Sequence, residues 1–511
     1  MKRLAFCLTL FSAVLAAACS GGSSTPLPPP PVGNFSNASL KGQYAFLMSG
    51  QDIGGFFARV GAFIADGNGN ITGGVEDVNT ALNGEQTLSF SASTYSISAD
   101  GRGTIRLTNA TGTLIFSVTL NSSAKGIIAQ TDGIATTSGT FILQNPNTFT
   151  QTAVSGAYVF DTSGIDPNGN PDSIIGQFQA SGGGTLVSGV LDENDGATPS
   201  GAITFTTGVY QLDAANGATF GKGTVTFAGL SYIFYIVDGT RLRFMETNST
   251  ALTLGDAISQ SGSIPTTNSG FTGSFAFLLG GSGLSGPLTR AGRFTSDGNG
   301  NLTTILLDDN NTGSFNAVPK GTLTNAVYSI DPNFPGSGRG TATFKDSSLG
   351  TFSFIFYLTS PNGGVFQDNS NGVVADGSLL SQTGGPFSNA SLAGNYALTW
   401  SGISSNTSTG ATAEEDFVGQ LVVSSSSSNN SSGVMDFSEF TSNQGVFLDV
   451  GISGGLALSG DGTGRNMFSV KTNNSPSTTF NFTAYIVNSN TILVVGSDST
   501  RVIAGTVSRQ N

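Results

Sequence analysis

Apolar and polar side chains alternate with a period of two in short stretches along the chain, as in Thr104-Ile105-Arg106-Leu107, Phe116-Ser117-Val118-Thr119-Leu120 and Thr224-Val225-Thr226-Phe227. That period belongs to half-buried β-strands, so the apolar members are expected to face a core and the Thr, Ser and Arg members water. No stretch sustains apolar residues at i, i+3, i+4 and i+7 with caps, and helices are not expected. Over residues 35–148 the pattern predicts about eight strands, at 43–49, 56–65, 70–78, 87–98, 102–108, 112–120, 125–131 and 138–144. Asp66-Gly67-Asn68-Gly69-Asn70 and Asp100-Gly101-Arg102-Gly103 supply residues that tolerate positive φ, so strands two and three, and five with its predecessor, are expected to be hairpins.

The same marks then recur in order. Gly42-Gln43-Tyr44-Ala45-Phe46 is matched by Gly156-Ala157-Tyr158-Val159-Phe160, Gly273-Ser274-Phe275-Ala276-Phe277 and Gly394-Asn395-Tyr396-Ala397-Leu398. A Gly-x-apolar step at Gly61, Gly176, Gly292 and Gly419 is followed 16 or 17 residues later by Asp77, Asp192, Asp308 and Asp436. A Gly-basic pair follows, at Gly101-Arg102, Gly221-Lys222, Gly338-Arg339 and Gly464-Arg465. A repeat of about 115 residues is long enough to bury a core of its own, unlike a solenoid repeat. The organisation expected is a signal peptide at 1–18, a tether at 19–34, and β modules at 35–148, 149–266, 267–385 and 386–511, separated by polar breakers around Gln144, Gln260 and Gln382.

Eight sequential antiparallel strands with hairpin-short connections can close into an up-and-down barrel, which removes exposed edges; an open two-sheet sandwich is the competing arrangement. The order of Gly-x-Tyr, an apolar strand, Ala65-Asp66-Gly67-Asn68-Gly69-Asn70-Ile71-Thr72-Gly73 and a Tyr-bearing strand resembles the eight-stranded meander barrels of the streptavidin and lipocalin type. The resemblance covers each module and implies an all-β fold of four tandem barrels. It does not carry a biotin pocket over, because such pockets are walled by several tryptophans and Trp400 is the only one in this chain.

The N-terminus indicates export. Lys2 and Arg3 precede an apolar run from Leu4 to Leu15 and the small residues Ala16-Ala17-Ala18, as in a secretory signal peptide. Leu15-Ala16-Ala17-Ala18-Cys19-Ser20 resembles the lipobox of bacterial lipoproteins, with Ala16 where Leu is usual three places before the Cys. Cys7 would leave with the signal, making Cys19 the single cysteine of the mature chain and the expected site of lipidation. By analogy with the sorting of such lipoproteins, Ser20 points to the outer membrane, on its periplasmic or surface face. Ser20 to Pro31 has no side chains for a core and reads as a part-polyproline spacer, able to lift the first module roughly 40 Å from the membrane.

Composition narrows the chemistry. The chain has no histidine, so the commonest general base and transition-metal ligand is missing. The acids Asp77, Asp192, Asp308 and Asp436 have neighbours Glu76, Glu193, Asp309 and Glu439 at no fixed spacing, and adjacent strand residues point to opposite faces. A solvated hairpin position, or a rim partner for Arg102, Lys222, Arg339 or Arg465 worth at most about 1 kcal/mol, is preferred to a catalytic pair. Asp66-x-Asn68-x-Asn70 and Asp297-x-Asn299-x-Asn301 open like a calcium loop, but Ile71 and Leu302 replace the turn-making Gly and a strand follows. The loop with Asp166, Asn168, Asn170 and Asp172 is the better oxygen cluster, and whether it binds calcium stays open. No catalytic residue, metal site or cofactor is assigned. A net charge of −13, without any basic run, excludes nucleic acid as a usual partner. The run Ser424 to Ser432 is expected to be a loop.

These features fit a non-catalytic envelope lipoprotein held by its lipid, a surface binding, adhesion or structural protein with an envelope polysaccharide or protein as partner. The alternatives are a lipocalin-like carrier of small apolar ligands and a glycan-active envelope enzyme. Filled barrel interiors favour the first, and interior cavities the carrier.

Overall fold

A computed structural model describes residues 33–80, 83–247, 251–318, 322–405, 412–425, 431–440 and 445–511. Cys19 and most of the tether lie outside the described residues, as does the middle of the serine run 424–432.

Residues 31–511 form one compact unit of four eight-stranded antiparallel barrels in tandem. In the first barrel the strands are Lys41–Asp52, Gly55–Asp66, Asn70–Thr80, Ser91–Ile97, Arg102–Asn109, Gly112–Ser122, Lys125–Gln130 and Thr136–Leu143. Each pairs with its sequence neighbour, and the first pairs with the last through Phe46↔Phe141 to close the cylinder. The fourth barrel closes the same way through Leu398↔Val507. In the third, closure runs through an isolated bridge, Asn301↔Val327.

One expected strand is two. Positions 87–98 split at Phe90: Gly84–Ser89 folds back on Asn70–Thr80, whereas Ser91–Ile97 enters the barrel wall. Just past the split, Ala92 takes φ 40°, a left-handed backbone at the register shift between Ser91 and Thr94 that the apolar pattern does not signal.

Each barrel has its own core, and each recurring mark has a job in it. Tyr44, Tyr158, Phe275 and Tyr396 are all buried. The three tyrosines donate their hydroxyls to turn carbonyls of the sixth hairpin, at Ser123, Gly239 and Ser489 respectively. At Gly61 a Cβ would lie 2.6 Å from the Phe46 ring and 2.4 Å from the Val75 carbonyl oxygen, so glycine there lets an aromatic ring cross the strand. The lumens are packed with rings: Phe354 stacks on Phe366 at 4.6 Å, and the Trp400 and Phe482 centroids are also 4.6 Å apart.

The outer faces depart from the expected alternation. Ile105 and Leu107 are buried and Arg106 exposed, as the period requires, but Ser117 and Thr119 are buried together with Phe116, Val118 and Leu120. Their strand is covered on its second face by another barrel. The strand Gly55–Asp66 shows the same thing with apolar residues: Phe63 points into the first core, while Ala58, Val60 and Ala62 pack against Ile233, Tyr235 and Met245 of the second barrel.

Candidate functional site

The seams between barrels are built from the repeated acid and the repeated base. In every module the glycine before the base has positive φ, 85° at Gly101, 71° at Gly221, 76° at Gly338 and 79° at Gly464, a turn that only glycine enters freely. It starts the fifth barrel strand with the basic side chain on the outer face, toward the preceding barrel. Lys222 Nζ donates to Asp77 Oδ1 at 2.6 Å, and the Tyr235 hydroxyl to Asp77 Oδ2 at 2.6 Å. Arg339 grips Asp192 through Nε and Nη2, both at 2.7 Å, with the Tyr357 hydroxyl at 2.6 Å. Arg465 grips Asp308 at 2.7 and 2.6 Å, with the Tyr485 hydroxyl at 2.5 Å. Asp77, Asp192 and Asp308 are fully buried. The expectation of solvated or rim positions is therefore corrected: these carboxylates bind across barrel boundaries, in interfaces that also bury apolar side chains. Burial, and then the adjacent carboxylate, pushes the three tyrosine hydroxyls well above their ordinary range, so they remain donors.

The fourth seam closes the series on itself. Arg102 of the first barrel reaches Asp436 of the fourth, but only at 4.0 Å, and its shorter bonds go to Asp100 at 2.9 Å and Asp449 at 2.7 Å. Thr119 stands where the other seams have tyrosine: it pairs with Arg102 as Tyr235 pairs with Lys222 and Tyr357 with Arg339. Asp436 instead accepts the amide of Asp449 in its own barrel. The apolar contact is Ile127 and Ala129 against Ala397 and Val418.

The module ends act as clasps. The Gln144 side-chain amide donates to the carbonyls of Phe220 and Ile236 at 3.0 and 2.6 Å. Gln260 donates to Ser337 and Leu358, and Gln382 to Thr463 and Ile486. Gln510, at the C-terminal end, donates to Asp100 and Leu120 of the first barrel at 2.9 and 2.8 Å. The four barrels thus form a closed ring with the same contact used four times. Gln144, Gln260 and Gln382 had the appearance of linker residues; their recurrence at fixed places was the signal of a structural role.

The remaining candidate residues fall apart as sites. Glu76 bonds to Arg59 and Asn109 within its own barrel while Asp77 faces the next one, as strand geometry requires. Asp66 Oδ1 accepts the amides of Asn68 and Asn70, and Asn70 Nδ2 donates to Oδ2, so this is a hairpin turn held by an aspartate. Asp166 makes the same turn with Asn168 and Asn170, whereas Asp172 lies in the strand Pro171–Ser181, on the face that carries Ile174 and Phe178 into the core of the second barrel. Among the described residues no group of three or more acidic side chains has the geometry to hold a metal ion.

Several carboxyls bind protons tightly. Burial pushes Asp416, which accepts the Ser138 hydroxyl across the closing seam, up to about 7. Burial and then Glu415 bring Glu439 up to about 7. Such groups hold more protons folded than unfolded, so their stabilising effect is complete near pH 4 and is lost as pH rises through about 7. Asp66 has the opposite sign: hydrogen bonds from Asn70 and Asn68 hold it down at about 2, and its contribution is lost as pH falls toward that value. The melting temperature is expected to peak in mildly acidic buffer and to fall by several degrees toward pH 8, with Asp416→Asn flattening the fall. A melting temperature that is level or rising from pH 5 to pH 8 would contradict this assignment.

No family model matches the chain, and no curated protein matches it. Among solved structures, isotype 1 transferrin binding protein B from serogroup B Neisseria meningitidis is similar at 10% identity, over 73% of this chain and 79% of that one, with a TM-score of 0.21. OccK8 (OprE) of Pseudomonas aeruginosa is similar at 8% identity, over 91% and 95%, with a TM-score of 0.10. Likenesses of that size carry no argument about what this chain does.

Proposed function

We propose that the chain is a non-catalytic envelope lipoprotein, anchored at Cys19 in the outer membrane, that works by binding a polysaccharide or protein of the cell surface. The observation that carries this reading is the packing of the barrel interiors. A lipocalin-like carrier needs an open lumen, and here Phe277, Phe294, Phe354 and Phe366 occupy that of the third barrel, with Trp400 among Phe417, Phe468, Phe480 and Phe482 in the fourth. What the ring offers a partner is its outside. Ile53 and Leu284, at the tips of the first hairpins of barrels one and three, are 89% and 84% exposed. In barrel one the chain enters at the opposite end, where the Phe35 amide bonds to Ala99.

Fourfold repetition suits binding by several similar contacts held in fixed geometry, since linked sites add by avidity. A pull-down with the soluble 35–511 fragment is expected to retain an envelope polysaccharide or surface protein, and substitution of Ile53 and Leu284 by Ser to reduce capture. Metabolic labelling with a tagged fatty acid should mark the wild type and spare Cys19→Ala. Equal labelling of both would sink the anchor, and hydrolysis of a glycan by the purified ring would sink the non-catalytic reading.

A further inference from the structure

Near its first hairpin, the lumen of each barrel ends in buried charge. In barrel one Arg59 donates to Glu76 at 2.7 Å, and in barrel four Arg501 reaches both oxygens of Glu415, at 2.9 and 3.3 Å. In barrel three Arg290 donates to Asp309 at 2.6 Å and also to Asp368. These three guanidiniums lie over the rings of Phe57, Phe480 and Phe352 respectively. Each arginine gives the acids of its own lumen a cationic partner.

Barrel two repeats the acids of barrel three without the base. The strand pairing sets the correspondence: Ile174 lies opposite Glu193 as Arg290 lies opposite Asp309, and Tyr232 lies opposite Glu246 as Phe354 lies opposite Asp368. Ile174 therefore stands at the arginine position. Asp172 and Asp195, a directly opposed pair, add two more acids on the same face. Glu246 and Asp172 are 1% and 5% exposed, Glu193 is half-buried and Asp195 exposed, so the group runs from solvent into the lumen. The Thr253 hydroxyl donates to Glu246 Oε2 at 2.8 Å, but Asp172 Oδ1 is buried without a hydrogen-bond partner. Burial first, and then Glu193, Asp195 and Glu246, push the Asp172 carboxyl up to about 8, and burial with Asp195 raises Glu193. A buried acceptor without a donor, in a crowd of like charge, is costly; a ligand that brings both the donor and the positive charge removes both costs.

We infer that the lumen mouth of barrel two binds a guanidinium group supplied from outside the chain, held by Glu193 and Glu246 as Arg290 is by Asp309 and Asp368, with Asp172 Oδ1 as a third acceptor. The planar fork of five donors suits carboxyls set on different strands, where a compact ammonium has three. A hard metal ion wants six or more oxygens, and among the described residues no group of acids has the geometry to hold one. Such a site would stand even if the ring captured no envelope partner.

Calorimetry on the full chain in detergent tests this, with ethylguanidinium as one probe and a blocked glycyl-arginyl-glycine peptide as the other. Saturable one-to-one binding of ethylguanidinium is expected, at least about tenfold tighter than that of ethylammonium, with no competition from calcium. Binding of the peptide as well would assign the group to an arginine of a protein, and exclusion of the peptide to a free small molecule; either upholds the site. Ile174→Arg should abolish binding, because it supplies in place the guanidinium that Arg290 supplies in barrel three. Should that variant fail to fold, Glu193→Gln at a half-buried position decides, with binding weakened at least about tenfold. Ethylammonium binding as tightly as ethylguanidinium, calcium competing with it, undiminished binding by Glu193→Gln, or no binding at all would each overturn the assignment.

Discussion

Replacing Asp192 by Ala is expected to cost about 3 kcal/mol, a large share of the stability of a folded domain, because it leaves two of the donor nitrogens of the Arg339 guanidinium unpaired in a closed interface. Arg339 also contacts Asp331, but that carboxylate reaches only Nη1, and both bonds at Nε and Nη2 go to Asp192. The Tyr357 hydroxyl loses its acceptor in the same step. The equivalent Asp436→Ala at the closing seam should cost under about 1 kcal/mol, since its 4.0 Å contact with Arg102 is long and Arg102 keeps Asp100 and Asp449. Denaturant melts of the two variants distinguish the cases. Equal losses would mean that the seams are energetically alike and that the geometric weakness of the fourth has no thermodynamic counterpart. The Asp192→Ala/Arg339→Met double variant should recover much of the loss, as buried pairs replaced by apolar groups commonly do.

The second large effect concerns a barrel cut out of the ring. The 267–385 fragment keeps a complete aromatic core, from Phe271 to Leu379, and is expected to fold with a cooperative melt. It is not expected to stay monomeric. Excision uncovers Ala276, Ala291 and Leu306, which pack on Tyr485, Val487 and Leu493 in the ring, and on its other side Ile355, Tyr357 and Val365, which pack on Val159, Ile175 and Val190. It also strands Asp308 and Arg339, each cut off from its cross-seam partner. One such face complements the other, so fragments should associate head to tail. Sedimentation should show a mass that grows with concentration, and Arg339→Glu should suppress that growth. A fragment that remains monomeric at high concentration would show that the seams contribute little.

The barrel was legible in the sequence because its causes are local. Expected strands 102–108 and 112–120 correspond to Arg102–Asn109 and Gly112–Ser122, and the Asp-Gly and Asn-Gly turns lie where positive φ is needed. The ring was not legible, because alternation reports one buried face and is silent about what covers the other. Ser117 and Thr119 look like solvent positions in any isolated barrel; the fourth barrel is what buries them. The trace that did exist was negative: Phe57, Ala58, Val60, Ala62 and Phe63 break the alternation within one strand, as happens when both faces are packed. Asp77, Asp192 and Asp308 were visible as a repeat, but a repeat has no direction, and nothing in the spacing said that each acid meets the base of the following module. Asp172 sits in a loop pattern beside Asp166, yet a strand start separates a turn-forming carboxylate from one inside the second barrel.

Head-to-tail contacts generate either filaments or closed cycles, according to whether the rotation between neighbours returns to its origin. Here it returns after four steps, and Phe35 and Gln510, near either end of the described residues, arrive at the same turn: each lies within about 3 Å of the Cβ position of Gly101. The chain therefore has a start only by covalent accident. A circular permutant opened in the Gln260 connection and joined from Asn511 to residue 33 would keep every noncovalent seam, while moving the covalent break from the weakest interface to one held by a bidentate arginine and a tyrosine. Such a permutant moves the N-terminal connection onto a different barrel, and makes the barrel from which an attached segment leaves the ring a variable that can be set.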